Sequence, residues 1–310
     1  MSKKNVQQTA IQLMILFFIF YLALNAAATL FYFLQGFEAF GPPTKNDSVH
    51  YHNQAVLIAQ SGNFSLAILP YEYLVGLIYI IFGTEIGPYA FKIILSLVGS
   101  SNIYLIISII GAICIYRNFS RRVFHRWAKI ASVMMVLYPT YTMYSINMVR
   151  DLFLVNGVLL FVFAFIGLFI LRTNKWTYYF MFLFSILFVF ILRPYFGVLI
   201  TLTVLIFMIT ERKYRTKKNL AALTILTIIV GTLLSLTKYG FFGVNYIFNL
   251  ASLNSLSSYR SASSVGNLIL GIEIDFMNPF QFIVNYSYAF LINHIYPFPN
   301  YLNGITNLLF

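Results

Sequence analysis

The chain has 310 residues, of which 60% are hydrophobic and 9% are charged, and its mean hydropathy is +0.81. Because a soluble domain carries about 25% charged residues, this composition excludes a water-soluble globular protein and predicts a polytopic membrane protein. The formal net charge of +12 does not indicate a nucleic-acid partner, since the basic residues of membrane proteins collect in their cytoplasmic loops. Cys114 is the only cysteine, so no internal disulfide can form.

Apolar segments of membrane-spanning length, about 20 residues, recur along the chain. The first is longer than the core of a signal peptide, and we interpret it as an uncleaved signal anchor. The segment 176–210 is too long for one crossing, and Arg193-Pro194 divides it, because proline lacks a backbone donor and disfavours helix at the preceding residue. The sequence therefore predicts an all-α transmembrane bundle of seven or eight spans, with 280–296 as either the eighth span or an interfacial helix. The seven spans are 10–34, 89–116, 128–146, 152–171, 176–192, 194–210 and 219–237.

The basic residues predict the orientation of these spans. Most lysines and arginines fall in the segments that the positive-inside rule, with the N-terminus inside, assigns to the cytoplasm. Seven of the eight acids then lie outside, and Glu211 is the exception. A crossing by the apolar stretch 66–82 would put the cations of 117–129 outside, so we predict that 66–82 is a juxtamembrane helix on the outer surface. The predicted organisation is one domain, 1–310, with outward loops at 35–88 and 238–279.

The first outward loop holds the best-placed acid. Asp47, Tyr51 and Ala55 are spaced i, i+4 and i+8, so on a helix they share one face. Asp47 is a candidate catalytic carboxylate, and the alternative is an acid that serves only as the N-terminal cap of a helix. His50 and His52 flank Tyr51, but residues two apart point to different faces of a helix, so a shared metal ion is not favoured.

Two arginines lie at predicted span ends on the outer side. Arg150-Asp151 opens the fourth predicted span, where such a pair also serves as a neutralised anchor. Arg193 has no adjacent acid in the sequence, so we expect it to bind an anion, with a phosphate as the natural partner for its planar fork. The alternative is an anchor in the lipid headgroups. The chain has no nucleotide-binding, zinc-protease, redox or serine-hydrolase motif.

Short motifs follow one another in an order typical of one superfamily. They are Asp47-x-x-x-Tyr51-x-x-x-Ala55, the tyrosine-rich PYEYLVGLIYIIFG at 70–83, the YPTYTMYS segment that leads to Arg150-Asp151, Leu192-Arg193-Pro194 and Pro297-Phe298-Pro299. In this order they resemble the GT-C superfamily of integral-membrane glycosyltransferases, especially bacterial members related to protein O-mannosyltransferases and to the aminoarabinose transferase of lipid A. Relatives often carry a second acid where Ser48 follows Asp47, and most are longer, so we expect a C-terminus that is truncated or completed by a partner.

The resemblance implies transfer of a sugar from a polyprenyl-phosphate carrier to a glycan or lipid acceptor, at the outer face of the bacterial cytoplasmic membrane. For this chemistry Asp47 is the predicted general base, and Arg193 is the predicted ligand of the carrier phosphate. No cofactor is expected, and no divalent metal is indicated. The further candidate substrate-binding residues are Arg150 and Arg260 as helpers of Arg193, together with Tyr51, Glu72 and Asp151.

Other functions remain open at this point. A polymerase or ligase of surface polysaccharide also handles polyprenyl-linked glycans in outward loops. A transporter or flippase of lipid-linked sugars is expected to show inverted repeats and charges near the middle of its spans, whereas almost every charge here lies at a predicted span end. A purely structural membrane subunit is the fourth reading, and it would tolerate the loss of Asp47 and Arg193.

Overall fold

The computed structural model describes residues 3–36, 47–63, 70–173 and 175–210. These residues form helices and turns, and none of them is in a strand, which confirms the all-α prediction for this part of the chain. The contacts divide the chain into two units, Met1–Ile206 and Phe207–Phe310. The span 219–237, the segment 280–296, the loop 238–279 and Arg260 lie outside the described residues. The helices are α1 Lys3–Leu34, α2 Asp47–Ser61, α3 Pro70–Tyr116, α4 Arg121–Leu137, α5 Pro139–Ile146, α6 Asp151–Phe165, α7 Trp176–Leu192 and α8 Pro194–Thr210.

Three of the described helices are long and apolar enough to cross a membrane. They comprise Lys4–Leu34, Tyr71–Tyr116 and Asp151–Ile170, the last of which includes a π-helical turn after α6. The apolar parts of α7 and α8 are shorter. Large apolar side chains on α1 face outward, among them Ile19 at 60% exposure and Phe33 at 74%. Such a surface suits lipid, which supports a membrane protein; the count of seven spans stays a prediction.

Helix α3 is the central element, and it packs against α1, α2 and α6, while α6 packs against α7. Small residues allow two of these close contacts. A Cβ atom at Gly157 of α6 would lie 2.7 Å from a methyl carbon of Val189 on α7, and one at Gly99 of α3 would lie 3.2 Å from the Tyr21 ring on α1. Small residues at helix contacts are typical of membrane bundles, where backbones must approach closely to gain dispersion contacts.

Buried amides join the same helices. The Asn25 side chain donates to Ser96 Oγ at 3.1 Å and to the Ser145 carbonyl at 2.9 Å, and so connects α1, α3 and α5. On the other side of the bundle, Asn156 of α6 donates to Ser101 Oγ at 2.7 Å and to Asn102 Oδ1 at 2.8 Å. These bonds satisfy polar groups that neither lipid nor an apolar core can satisfy.

The described residues of the predicted juxtamembrane helix at 66–82 are helical, and its place on the outer surface stays a prediction. Residues from Pro70 onward form the first arm of α3, which turns at Gly83 (φ 80°, ψ 163°) and continues to Tyr116. Glycine adopts this left-handed backbone without a Cβ clash. Lys92 is buried on α3 at 4% exposure, and its Nζ donates to Thr29 Oγ1 of α1 at 2.6 Å.

The prediction of one continuous span at 128–146 is wrong. The structure ends α4 at Leu137 and starts α5 at Pro139, with Tyr138 between them in an extended conformation (φ −79°, ψ 103°). Pro139 causes this break by the same steric rule that divides 176–210 at Arg193-Pro194. Helix α4 is amphipathic: Phe124, Ala128 and Ser132 are buried at a spacing of four, and its cations are exposed.

Candidate functional site

The first turns of α2, α3 and α6, and the junction that precedes α8, meet around two tyrosines. Tyr51 of α2 lies within electrostatic range of Arg150, Asp47, Asp151 and Glu72. Tyr144 of α5 lies within range of Asp151, Arg193 and Asp47. The structure thus brings together six of the seven site residues that the sequence predicts, and Arg260 lies outside the described residues. We call these six residues, together with Tyr144, the charged cluster: Asp47, Tyr51, Glu72, Tyr144, Arg150, Asp151 and Arg193.

Each acid of the cluster lies in the first turn of its own helix. Asp47 is in the first turn of α2, Glu72 in that of α3 and Asp151 in that of α6. A helix N-terminus carries a partial positive charge and unbonded N–H groups, so a carboxylate there is stabilised. The position of Asp47 therefore agrees with the helix-terminus alternative as well as with a catalytic role.

Arg193 is not the isolated cation that the sequence predicts. Its guanidinium donates to Asp151 Oδ1 at 2.6 Å, and the two side chains are 23% and 22% exposed. The pairing follows from the packing of α6 against α7, which places the start of α6 beside the end of α7. It also corrects the expectation that Asp151 neutralises its neighbour in the chain, Arg150.

Arg150 is the cation of the cluster that forms no ion pair with any described residue. It precedes α6 with helical backbone angles (φ −67°, ψ −18°), and its side chain is half-buried. Burial raises the pKa of the Tyr51 hydroxyl, and the positive charge of Arg150 opposes that rise. The cluster therefore offers one guanidinium already engaged by a carboxylate and a second one nearby that no described carboxylate neutralises.

A histidine–carboxylate contact escaped the sequence analysis. Glu72 is fully buried, and its Oε1 accepts a hydrogen bond from Nε2 of His50 at 3.0 Å. The ring of His52 instead shares a 2.7 Å hydrogen bond with the hydroxyl of Tyr79. The two histidines thus bind different partners, as their spacing predicts. Within the described residues, no group of three or more His, Cys, Asp or Glu side chains is placed to hold a metal ion.

Aromatic rings pack against Tyr51 of the cluster and against one another. Tyr51 is 3% exposed, and its ring meets that of Tyr71 edge-to-face with centroids 4.7 Å apart. Tyr71 also contacts Phe153 of α6 at 5.7 Å and Phe91 of α3 at 6.2 Å. Sequence reasoning missed Tyr71, although it opens the tyrosine-rich stretch that was singled out.

Comparison with known proteins adds no identification. No protein-family model, no curated protein and no solved structure matches this chain. The GT-C resemblance therefore remains an interpretation of the motifs, and the function has to be argued from the cluster itself.

Proposed function

We propose that this protein is a membrane glycosyltransferase that moves a sugar from a polyprenyl-phosphate donor to a glycan or lipid acceptor at the outer face of the bacterial cytoplasmic membrane. Asp47 acts as the general base, and Arg150 and Arg193 hold the carrier phosphate. The observation that carries the proposal is the presence of two guanidinium groups, Arg150 and Arg193, in one cluster beside helices that are long and apolar enough to cross a membrane.

The cationic part of the site supports a phosphate ligand. Arg150 has no carboxylate partner among the described residues, and the contact of Arg193 with Asp151 places a second guanidinium in the same cluster. When the sugar–phosphate bond breaks, negative charge grows on the departing phosphate oxygen, and donors already in position stabilise it.

The apolar surroundings support a lipid carrier for that phosphate. The residues that follow the cluster along α3 and α6 belong to helices long enough to cross a membrane. A polyprenyl chain can lie in the bilayer against such helices without leaving an apolar environment, whereas a free nucleotide sugar has no apolar chain to place there. This combination of a charged head site and apolar walls favours an amphiphilic donor.

The acceptor hydroxyl must lose its proton as it attacks the sugar, and a carboxylate within hydrogen-bond reach serves as the base. Asp47 is the exposed acid of the cluster, whereas Glu72 is buried and bonded to His50, and Asp151 is bonded to Arg193. An exposed carboxylate is open to an incoming acceptor. For this reason we keep Asp47 as the proposed base.

The test uses purified full-length protein in lipid nanodiscs. The first measurement is equilibrium binding of radiolabelled polyprenyl phosphate, with the uncharged polyprenol as control. Wild type is expected to prefer the phosphate, and Arg150→Gln or Arg193→Gln should each weaken binding about tenfold or more. The second is transfer of a radiolabelled sugar from the same carrier, in which Asp47→Asn should retain binding and lose about 10²-fold or more in turnover. Equal turnover by Asp47→Asn would remove the proposed base, and equal binding of phosphate and alcohol would remove the proposed function.

One observation favours a second candidate, the transport of lipid-linked sugars. Lys92 is buried inside α3, and ionisable groups within spans often mark a substrate path. The distinguishing measurement is the movement of a fluorescent polyprenyl-phosphate sugar between the leaflets of proteoliposomes, read from the fraction that an impermeant quencher reaches. Translocation that Lys92→Met abolishes, without sugar transfer by wild type, would replace the transferase proposal.

A further inference from the structure

Tyr71 holds a buried hydroxyl for which no described residue provides a hydrogen-bond partner. The side chain is 1% exposed, and its oxygen is among the few buried polar atoms that remain unbonded. Tyr79, two turns further along the same helix, shows the ordinary situation: it is equally buried, and its hydroxyl is bonded to His52 at 2.7 Å. Tyr71 and Tyr79 are therefore a matched pair that differ in hydrogen-bond satisfaction.

The unbonded hydroxyl of Tyr71 belongs to the charged cluster. It lies within electrostatic range of Arg150 and Asp151, and its ring packs between Tyr51 of α2 and Phe153 of α6. Burial of a donor that makes no hydrogen bond costs stability, and a phenylalanine of the same shape would avoid that cost. An unbonded donor within electrostatic range of the Arg150 guanidinium is an arrangement that an anion can complete.

We propose that Tyr71 is a ligand-binding residue, whose hydroxyl donates a hydrogen bond to an oxygen of the phosphate group that Arg150 attracts. This inference rests on the proposed function and deepens it, because it assigns a neutral donor at the floor of the phosphate site. The phosphate has two possible sources, the polyprenyl carrier and free inorganic phosphate, and the same hydrogen bond would serve both.

The first arm of the experiment measures the stability of the ligand-free protein. Tyr71→Phe removes an unbonded donor, so its thermal midpoint in detergent should rise by about 2–4 °C. Tyr79→Phe removes a bonded hydroxyl and should lower the midpoint. A lower midpoint for Tyr71→Phe would show that its hydroxyl is satisfied in the folded protein, and it would overturn the inference.

The second arm measures equilibrium binding of radiolabelled polyprenyl phosphate to the same three proteins, with and without excess inorganic phosphate. Tyr71→Phe should bind about tenfold more weakly, while Tyr79→Phe should match wild type. Competition by inorganic phosphate would identify the free ion as a sufficient ligand, and no competition would identify the carrier lipid. Either result keeps the assignment of Tyr71.

The outcomes separate this inference from the proposed function. If wild type binds polyprenyl phosphate and Tyr71→Phe binds it equally well, the role of Tyr71 is refuted and the transferase proposal stands. If wild type does not discriminate polyprenyl phosphate from polyprenol, the proposed function fails and the inference fails with it. If Tyr71→Phe is more stable than wild type but binds polyprenyl phosphate more weakly, and Tyr79→Phe shows neither change, the inference and the proposed function are both supported.

Discussion

The two ends of the helices that the structure describes hold their charges in different ways. At the charged cluster, acids and arginines from different helices come together, as in the Asp151–Arg193 pair, whose side chains are 22% and 23% exposed. Helices α3 and α6 both start at the cluster and run away from it, and the segments that follow them carry cations without any acid between 117 and 129 or between 172 and 175. We call the cations of these two segments, Arg117, Arg121, Arg122, Arg126, Lys129, Arg172 and Lys175, the basic end.

This difference between the basic end and the charged cluster distinguishes a solvated surface from a candidate functional site. The exposed cations of α4 need no protein partner, because water and anionic lipid headgroups solvate them. Carboxylates and arginines packed together near the membrane are costly to bury, and proteins that keep them usually use them. The basic end therefore carries information about orientation, and the cluster carries information about chemistry.

The largest expected effect is an all-or-none difference in accessibility between the two ends. Asn53 on α2 and Arg122 on α4 are both exposed, and the single native cysteine is removed by Cys114→Ala. In intact bacterial cells, a membrane-impermeant maleimide should label Asn53→Cys, and it should label Arg122→Cys only after the membrane is permeabilised. Labelling of both positions from the same side would refute the predicted orientation of the cluster and the basic end.

A smaller effect is expected from breaking the ion pair of the cluster. Asp151→Asn leaves the Arg193 guanidinium without its carboxylate at 23% exposure, so the free energy of unfolding should fall by about 1–3 kcal/mol. Arg122→Gln at the basic end removes an exposed charge and should change it by less than about 0.5 kcal/mol. Unfolding in mixed detergent micelles measures both.

The double variant sharpens this second prediction. Combining Asp151→Asn with Arg193→Gln removes both charges, so its loss of stability should be less than the sum of the two single losses. Additive losses would mean that the contact contributes nothing to folding, and the contrast between the paired cluster and the solvated basic end would disappear.

The smallest effect concerns pH. Burial raises the pKa of the Tyr51 hydroxyl above its ordinary value of 10.0. Below pH 10 the phenol of Tyr51 is neutral in both the folded and the unfolded chain, and Tyr51 contributes its full stabilisation. Above pH 10 the phenol ionises in the unfolded chain while it stays neutral in the folded one, so stability falls as pH rises. Tyr51→Phe should therefore flatten the alkaline fall in thermal midpoint between about pH 9 and about pH 11.

Tyr144 allows a second test of the alkaline fall in thermal midpoint. Burial also raises the pKa of its hydroxyl, and Asp151 adds to the rise. Tyr144→Phe should thus flatten the alkaline fall in the same direction as Tyr51→Phe. An unchanged slope for both variants would contradict the burial of the two phenols in the cluster.

Proline chemistry shows how far local rules reach. The break at Arg193-Pro194 was predicted because the chain on both sides is apolar and too long for one crossing, and the structure has it. The same rule applies at Tyr138-Pro139, yet 128–146 has the length of one span, and so the break there was missed. Pro88 lies within α3, five residues after the turn at Gly83, and the helix continues through it to Tyr116.

The composition of the cluster was predictable, and its pairing was not. Asp47, Arg150 and Arg193 stand out in the sequence because charges are rare in so apolar a chain. Which carboxylate meets which cation depends on helix packing: Asp151 bonds Arg193, 42 positions away, and not the adjacent Arg150. The contact between His50 and Glu72 and the unbonded hydroxyl of Tyr71 likewise exist only after α2 has packed on α3.

The sequence by itself determined the helical class, the apolar character that suits a membrane and the identity of the charged residues, because each depends on composition or on patterns within about 20 residues. Tertiary structure alone decided the partner of each charge, the burial of Lys92 and the exposure of Asp47. The physical reason is that the free energy of a charge depends on its solvation and its neighbours, and in a helical bundle those neighbours come from distant parts of the chain.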